Sequence, residues 1–197
     1  DSDHVWLGLN CQPSFCQVPK VAYTTNGGIN WQVASIPNGS NYVSAVAFKN
    51  DNSYGIVVPW DQTPTFMYRS LNGGGSWSFL FDTQLEQPVN SLCWAAGNTW
   101  YFCANVNVDQ IKKSTNNGLS WNPMVLPSGT NNVASMDIIK QDDHVYGMCV
   151  TFDGRILRLV DSVSVIGINI NSSELPEKFQ VSQNYPNPFN PSTSIEY

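Results

Sequence analysis

Three copies of one short pattern, each ending in tryptophan, constrain this chain more than any other feature. They read Thr24-Thr25-Asn26-Gly27-Gly28-Ile29-Asn30-Trp31, Ser70-Leu71-Asn72-Gly73-Gly74-Gly75-Ser76-Trp77 and Ser114-Thr115-Asn116-Asn117-Gly118-Leu119-Ser120-Trp121. The tryptophans lie 46 and then 44 residues apart. A second landmark keeps the same beat: Asp3-His4-Val5-Trp6 recurs as Asp143-His144-Val145-Tyr146, 140 residues later, or three periods of about 47. Periods of this length belong to four-stranded blades repeated around an axis.

Strand signals fill each period. The first unit opens late, at the second strand (4–9), and continues with 18–24 and 31–35. The second reads as 43–48, 54–58, 66–70 and 77–81, and the third as 89–95, 99–104, 110–114 and 121–125. The fourth gives 133–139, 144–150 and 155–160. These runs are short, β-branched and aromatic, and Asn, Gly, Asp and Pro separate them with no helical period. The expectation is an all-β propeller of four-stranded antiparallel blades, about three and a half of them over residues 1–162.

The repeated pattern falls in the hairpin between third and fourth strands. Gly28, Gly74 and Gly118 permit backbone angles that a side chain forbids. The side chains of Thr24, Ser70 and Ser114, and of Asn26, Asn72 and Asn116, can bond the turn's own amides. Trp31, Trp77 and Trp121 then open the outer strand and place an indole between neighbouring blades.

Composition removes several function classes. The chain has 197 residues, 42% hydrophobic and only 12% charged, with a formal charge of −6. Nine basic residues, paired only at Lys112-Lys113, make no patch for nucleic acid. No apolar run nears the roughly 18 residues that cross a bilayer. The five cysteines form no C-x-x-C pair. Cys11 and Cys16 bracket a short loop, and Cys93 and Cys103 flank a turn; each pair reads either as a disulfide of an oxidising compartment or as separate thiols, those of Cys93, Cys103 and Cys149 being small buried hydrophobes.

On these residues the hairpins resemble the Asp-box, or BNR, repeat, with Asn at the position that gives the box its name. That repeat is shared by sialidases, some glycoside hydrolases, sortilin-type receptors and photosystem assembly factors. The resemblance covers about residues 1–162 and implies a β-propeller without implying a reaction.

From Asp161 the period stops. Residues 163–178 read as a last strand and a linker. Then Gln183-Asn184-Tyr185-Pro186-Asn187-Pro188-Phe189-Asn190-Pro191 forms a rigid extended arm with apolar anchors at Tyr185 and Phe189. Residues 179–197 closely resemble the opening of the C-terminal sorting domain of type IX secretion substrates. That resemblance implies the type IX machinery as a partner and an extracellular or outer-membrane-surface location. The first unit lacks its innermost strand and the sorting domain most of its body, so the stretch reads as cut at both ends. Open strand edges then raise the prospect of a homopolymer completed by strand or tail exchange.

Catalytic signals are weak. His4 and His144 occupy one repeat position, beside aspartates that face the other way along a strand. Arg69, Arg155 and Arg158 lie away from the funnel that a sialidase's arginines would line. Asp61, Asp109 and Asp153 sit on loops between second and third strands, where a glycosidase would need two facing carboxylates. Those same loops are the expected binding face. Trp60, Asp61 and Gln62 offer an indole with an acid and an amide, suited to stacking on a sugar ring. Asn105 and Asn107 add polar groups but no acidic run for calcium. The reading is a secreted propeller with a non-catalytic adhesion, binding or structural role, with no cofactor or metal and with surface glycans or other copies of itself as partners. The alternatives are the homopolymer and a fragment of an Asp-box glycoside hydrolase.

Overall fold

The structure is a computed structural model that describes residues 3–10, 18–37, 42–60, 65–104, 106, 110–130 and 132–162. The chain divides into two compact units, 1–165 and 166–197, and the described residues all belong to the first. The segments around Cys11 and Cys16, the whole Pro-rich arm, and Asp61, Gln62, Asn105, Asn107 and Asp109 lie outside the described residues.

Every described element is a strand, and the strands form four antiparallel meanders. The first blade holds β1 (Val5–Leu9), β2 (Lys20–Thr24) and β3 (Gln32–Ser35). The second holds β4 (Tyr42–Phe48), β5 (Gly55–Trp60), β6 (Phe66–Ser70) and β7 (Ser78–Asp82). The third holds β8 (Val89–Ala96), β9 (Thr99–Ala104), β10 (Ile111–Ser114) and β11 (Asn122–Pro123). The fourth holds β12 (Val133–Gln141), β13 (His144–Thr151) and β14 (Ile156–Ser162). β1 lies beside β4, β4 beside β8, and β8 beside β12, which is the side-by-side order of propeller blades. β11 stops at two residues where five were expected, although the Met124 amide beyond it still donates to Ile111 O at 2.9 Å.

Alternation along the second strand of each blade assigns its two faces. In β5, Val57 packs backwards with Val21, Ala34 and Ile36 of the first blade, while Ile56 and Val58 pack forwards with Val89, Trp100 and Phe102 of the third. In β9, Trp100 and Phe102 face back and Tyr101 and Cys103 face forward, towards Met136, Val145 and Cys149. Three inter-blade cores of one design therefore join four blades.

Of the two readings of Cys93 and Cys103, the structure has the separate thiols and not the bridge. The register sets Cys93 opposite Tyr101 and Cys103 opposite Ser91, so the two cysteines are diagonal neighbours. Diagonal pairs stand roughly 7–8 Å apart, beyond disulfide reach. Burial pushes the Cys93 thiol up to about 12, helped by the Asp137 charge, and the Cys103 thiol up to about 11. Both stay protonated and unreactive at neutral pH.

Among the polar ties across the third junction, one gathers two side chains on Asp161. Tyr101 donates its hydroxyl to Asp161 Oδ2 at 2.8 Å, and Lys113 Nζ donates to the same oxygen at 2.7 Å. Burial, and then the hydrogen bond and charge of Asp161, hold the Tyr101 phenol well above its ordinary value of 10.0. A phenol whose folded value is raised keeps its proton while the unfolded chain loses one, so its contribution is full below about pH 10 and declines above it. Asp161→Asn removes the charge that Lys113 pairs with at 2.7 Å and is expected to cost about 1–3 kcal/mol. It should also bring Tyr101 ionisation closer to that of the other tyrosines. Urea melts and ultraviolet pH titration of both chains check the two effects.

Candidate functional site

The repeated hairpins share one set of turn hydrogen bonds. Gly28, Gly74 and Gly118 amides donate to the hydroxyls of Thr24, Ser70 and Ser114 at 3.0, 2.8 and 2.9 Å. The amides of Asn30, Ser76 and Ser120 each donate to the side-chain oxygen of Asn26, Asn72 or Asn116 at 2.9 Å. Asparagine suits the site because its amide can also donate: Asn72 Nδ2 reaches Ser76 Oγ at 2.9 Å and Asn116 Nδ2 reaches Ser120 Oγ at 2.8 Å. Two successive left-handed residues close each turn, and Asn117, at φ 58°, takes the place of Gly27 and Gly73. These residues spend their polar groups on the turn, so their role is structural.

The box tryptophans face the preceding blade. Trp77 is 6% exposed, packed with Val21 and Ile36 and edge-on to Phe48. Trp121 stands edge-on to Phe102 at 4.7 Å, against the second junction. Trp31 looks the same way from the first blade, where no described blade precedes it, and is 45% exposed. Hydrogen bonds lock the seating: Trp6 Nε1 donates to Gly73 O at 2.9 Å, and Tyr54 Oη to Asn117 O at 2.7 Å.

The opposite rim carries the candidate binding residues. Trp60 ends β5, pairs with Tyr42 across the β4–β5 ladder and is 38% exposed. The two rings stand 5.6 Å apart at 44° and form an aromatic step. A bulge at Val43–Ala45 sets this geometry, and the Ser44 hydroxyl pins it by donating to Val58 O at 2.9 Å. Beyond the loop the chain is anchored again, the Thr83 hydroxyl donating to Thr65 O at 2.6 Å. Tyr42 was missed in the sequence because its partner lies 18 residues on and only the register joins them. An aromatic residue opening the first strand of a blade was the available signal.

Asp153 is tied into its own turn. It bonds the Thr151 hydroxyl and pairs with Arg155 Nε at 3.2 Å, while the Arg155 amide donates to Thr151 Oγ1 at 2.9 Å. That ion pair holds the carboxylate in a structural task. Among the described residues no group of three or more His, Cys, Asp and Glu gathers as a metal site would require.

No protein-family model matches the chain, and no curated protein matches it. Solved structures do. The structure of YCF48 bound to a D1 peptide is 17% identical with a TM-score of 0.52, over 82% of this chain and 60% of that one. The GH74 xyloglucanase from Xanthomonas campestris is 13% identical with a TM-score of 0.60, over 85% of this chain and 30% of the enzyme. The K499G mutant of NanB sialidase from Streptococcus pneumoniae is 11% identical with a TM-score of 0.53, over 74% of this chain and 26% of that one. The chain spans less than two thirds of each. What it shares with them is the β-propeller fold.

Proposed function

We propose that this chain is a non-catalytic, glycan-binding propeller module of an exported protein, with Trp60 and Tyr42 as the sugar-stacking platform. The observation that carries this is the exposed aromatic step on the rim, held on a bulged and anchored strand end. A tilted ring pair offers one face to the apolar side of a pyranose, and Asp61 and Gln62, next in sequence, offer acceptors and a donor to its hydroxyls. Asp153 is occupied by its own turn, which favours binding over hydrolysis at that loop. Two of the structures of like fold act on glycans by their names, the xyloglucanase and the sialidase, so a sugar is the first ligand to try. The arm from Asn184 to Pro191 supports export by a type IX system and a place at the cell surface or outside it.

Calorimetric titration with xyloglucan, followed by a panel of soluble glucans and mannans, tests the reading. Binding is expected without release of reducing ends. Trp60→Ala and Tyr42→Ala should each raise Kd about tenfold, or about 1.4 kcal/mol. Neither should disturb folding. No binding across the panel, affinity unchanged in both variants, or steady release of reducing sugar would each remove the proposal.

A further inference from the structure

The chain that leaves the second blade crosses in front of the aromatic step. Strands β4 to β7 run outward in order and β8 lies beside β4, so residues 83–88 return from the outermost strand to the innermost position of the next blade. They pass along the forward face, to which Ile56, Val58 and, by alternation, Trp60 belong. Hydrogen bonds fasten this crossing to the start of β6. Thr83 N donates to Thr65 O at 3.0 Å, Thr65 N to Leu85 O at 3.0 Å, and Thr65 Oγ1 to Gln87 O at 3.3 Å. Leu85 packs against the core that holds Val58 and Val89. Gln84, at φ 56° with its amide on Asp82 Oδ1, is left exposed together with Glu86 and Gln87.

The charge at this end of the middle blades has one sign. The connections 36–41, 61–65, 83–88 and 105–110, with the strand end Asp82, carry Asp61, Asp82, Glu86 and Asp109 and no lysine, arginine or histidine. The rim's bases are Lys20, at the start of β2 in the first blade, and Arg155 in the fourth, which Asp153 engages at 3.2 Å. Carboxylates accept from the hydroxyls of a neutral sugar, and the glutamine amides both accept and donate. A further carboxylate brought among them meets like charge and no partner, which weakens binding and slows encounter.

We propose that this rim selects neutral glycans and turns away uronate-bearing ones, with Gln84, Glu86 and Gln87 as the polar wall beside Trp60 and Tyr42. The proposal rests on the glycan reading of that aromatic step and adds its selectivity. The rings stack on any apolar pyranose face, so they do not by themselves tell a hexose from its uronate. The wall does, because oxidation at C6 replaces a hydroxymethyl group by a carboxylate and leaves the ring unaltered. Selectivity of this origin weakens as salt rises, since the field reaches about 30 Å at 0.01 M ionic strength and about 3 Å at 1 M.

Calorimetric titration of the whole chain with xyloglucan, glucans and mannans, each paired with the same polymer oxidised at C6, tests this. At about 20 mM salt the carboxylated form is expected to bind at least about tenfold more weakly than its neutral parent, and at about 0.5 M salt the gap should fall below about threefold. Glu86→Gln combined with Asp82→Asn should narrow the low-salt gap in the same way. The new amide oxygens still accept hydrogen bonds, so circular dichroism should match the wild type. Glu86→Lys, at an exposed position, should raise affinity for the carboxylated polymer at least about tenfold. A carboxylated polymer bound as tightly as the neutral one, or a gap that neither salt nor these variants change, would overturn the selectivity and leave the aromatic site standing wherever Trp60→Ala still weakens binding. No binding by any polymer of either kind, or binding that Trp60→Ala leaves untouched, would remove the aromatic site and this proposal with it.

Discussion

Trp77→Ala is expected to lower the unfolding free energy by about 3–5 kcal/mol, the usual cost of emptying a large aromatic site. The same change at Trp31 should cost about half as much, about 1.5–2.5 kcal/mol, because nearly half of that residue already meets water. The contrast matters more than either value. Both residues end the same motif and follow turns with the same amide hydrogen bonds, so most of the turn chemistry cancels between them. What differs is the blade in front. The Trp77 indole nitrogen is buried without a hydrogen-bond partner, so its contribution is packing alone. Urea denaturation at concentrations where the chain is monomeric, read as a shift in midpoint at constant slope, checks the pair. Equal losses at Trp31 and Trp77 would assign the tryptophans to their own hairpins and not to the junctions.

Gly74→Ala should cost about 2–5 kcal/mol, and Gly28→Ala only about 1–2 kcal/mol. Both glycines are left-handed, with φ 97° and φ 88°, so both alanines bear the same backbone strain. At Gly28 a new Cβ meets nothing closer than 3.8 Å. At Gly74 it would stand 2.9 Å from Trp6 Nε1 and 3.0 Å from Cδ1. That ring cannot step aside, since it stacks on Phe48 and donates to Gly73 O. The excess at Gly74 thus measures how tightly the second blade's hairpin sits on the first blade. Thermal and urea melts of the two variants give it directly.

How much of this was readable in advance follows the range of each interaction. The box hairpins were legible because their bonds close within four residues, so spacing alone brings Ser70, Asn72, Gly74 and Ser76 together. Strand order was legible for the same reason, since every hairpin links neighbours. The equivalence of His4–Trp6 and His144–Tyr146 came from the repeat and reappears as two matching ring stacks. Features fixed by register or by a second blade were not legible. The Tyr42–Trp60 step depends on a bulge that no local signal marks. The tie from Lys113 and Tyr101 to Asp161 spans 48 and 60 residues and arises only when β14 comes to lie against the third blade. The choice between a bridge and free thiols at Cys93 and Cys103 was open for the same reason, because flanking a turn does not make two residues partners across it.

The account stands on one claim: each blade's box hairpin is seated on the blade before it. Hydrogen exchange of the Trp6 indole N–H, followed by NMR, tests that claim most directly. This proton bonds Gly73 O, 67 residues away and in the next blade, so its protection reports the first junction and nothing local. The account predicts exchange slowed by orders of magnitude relative to an open indole, with the protection lost in Trp77→Ala at denaturant levels where the third and fourth blades persist. A Trp6 indole proton exchanging as fast as an exposed tryptophan, in a chain otherwise folded, would contradict it.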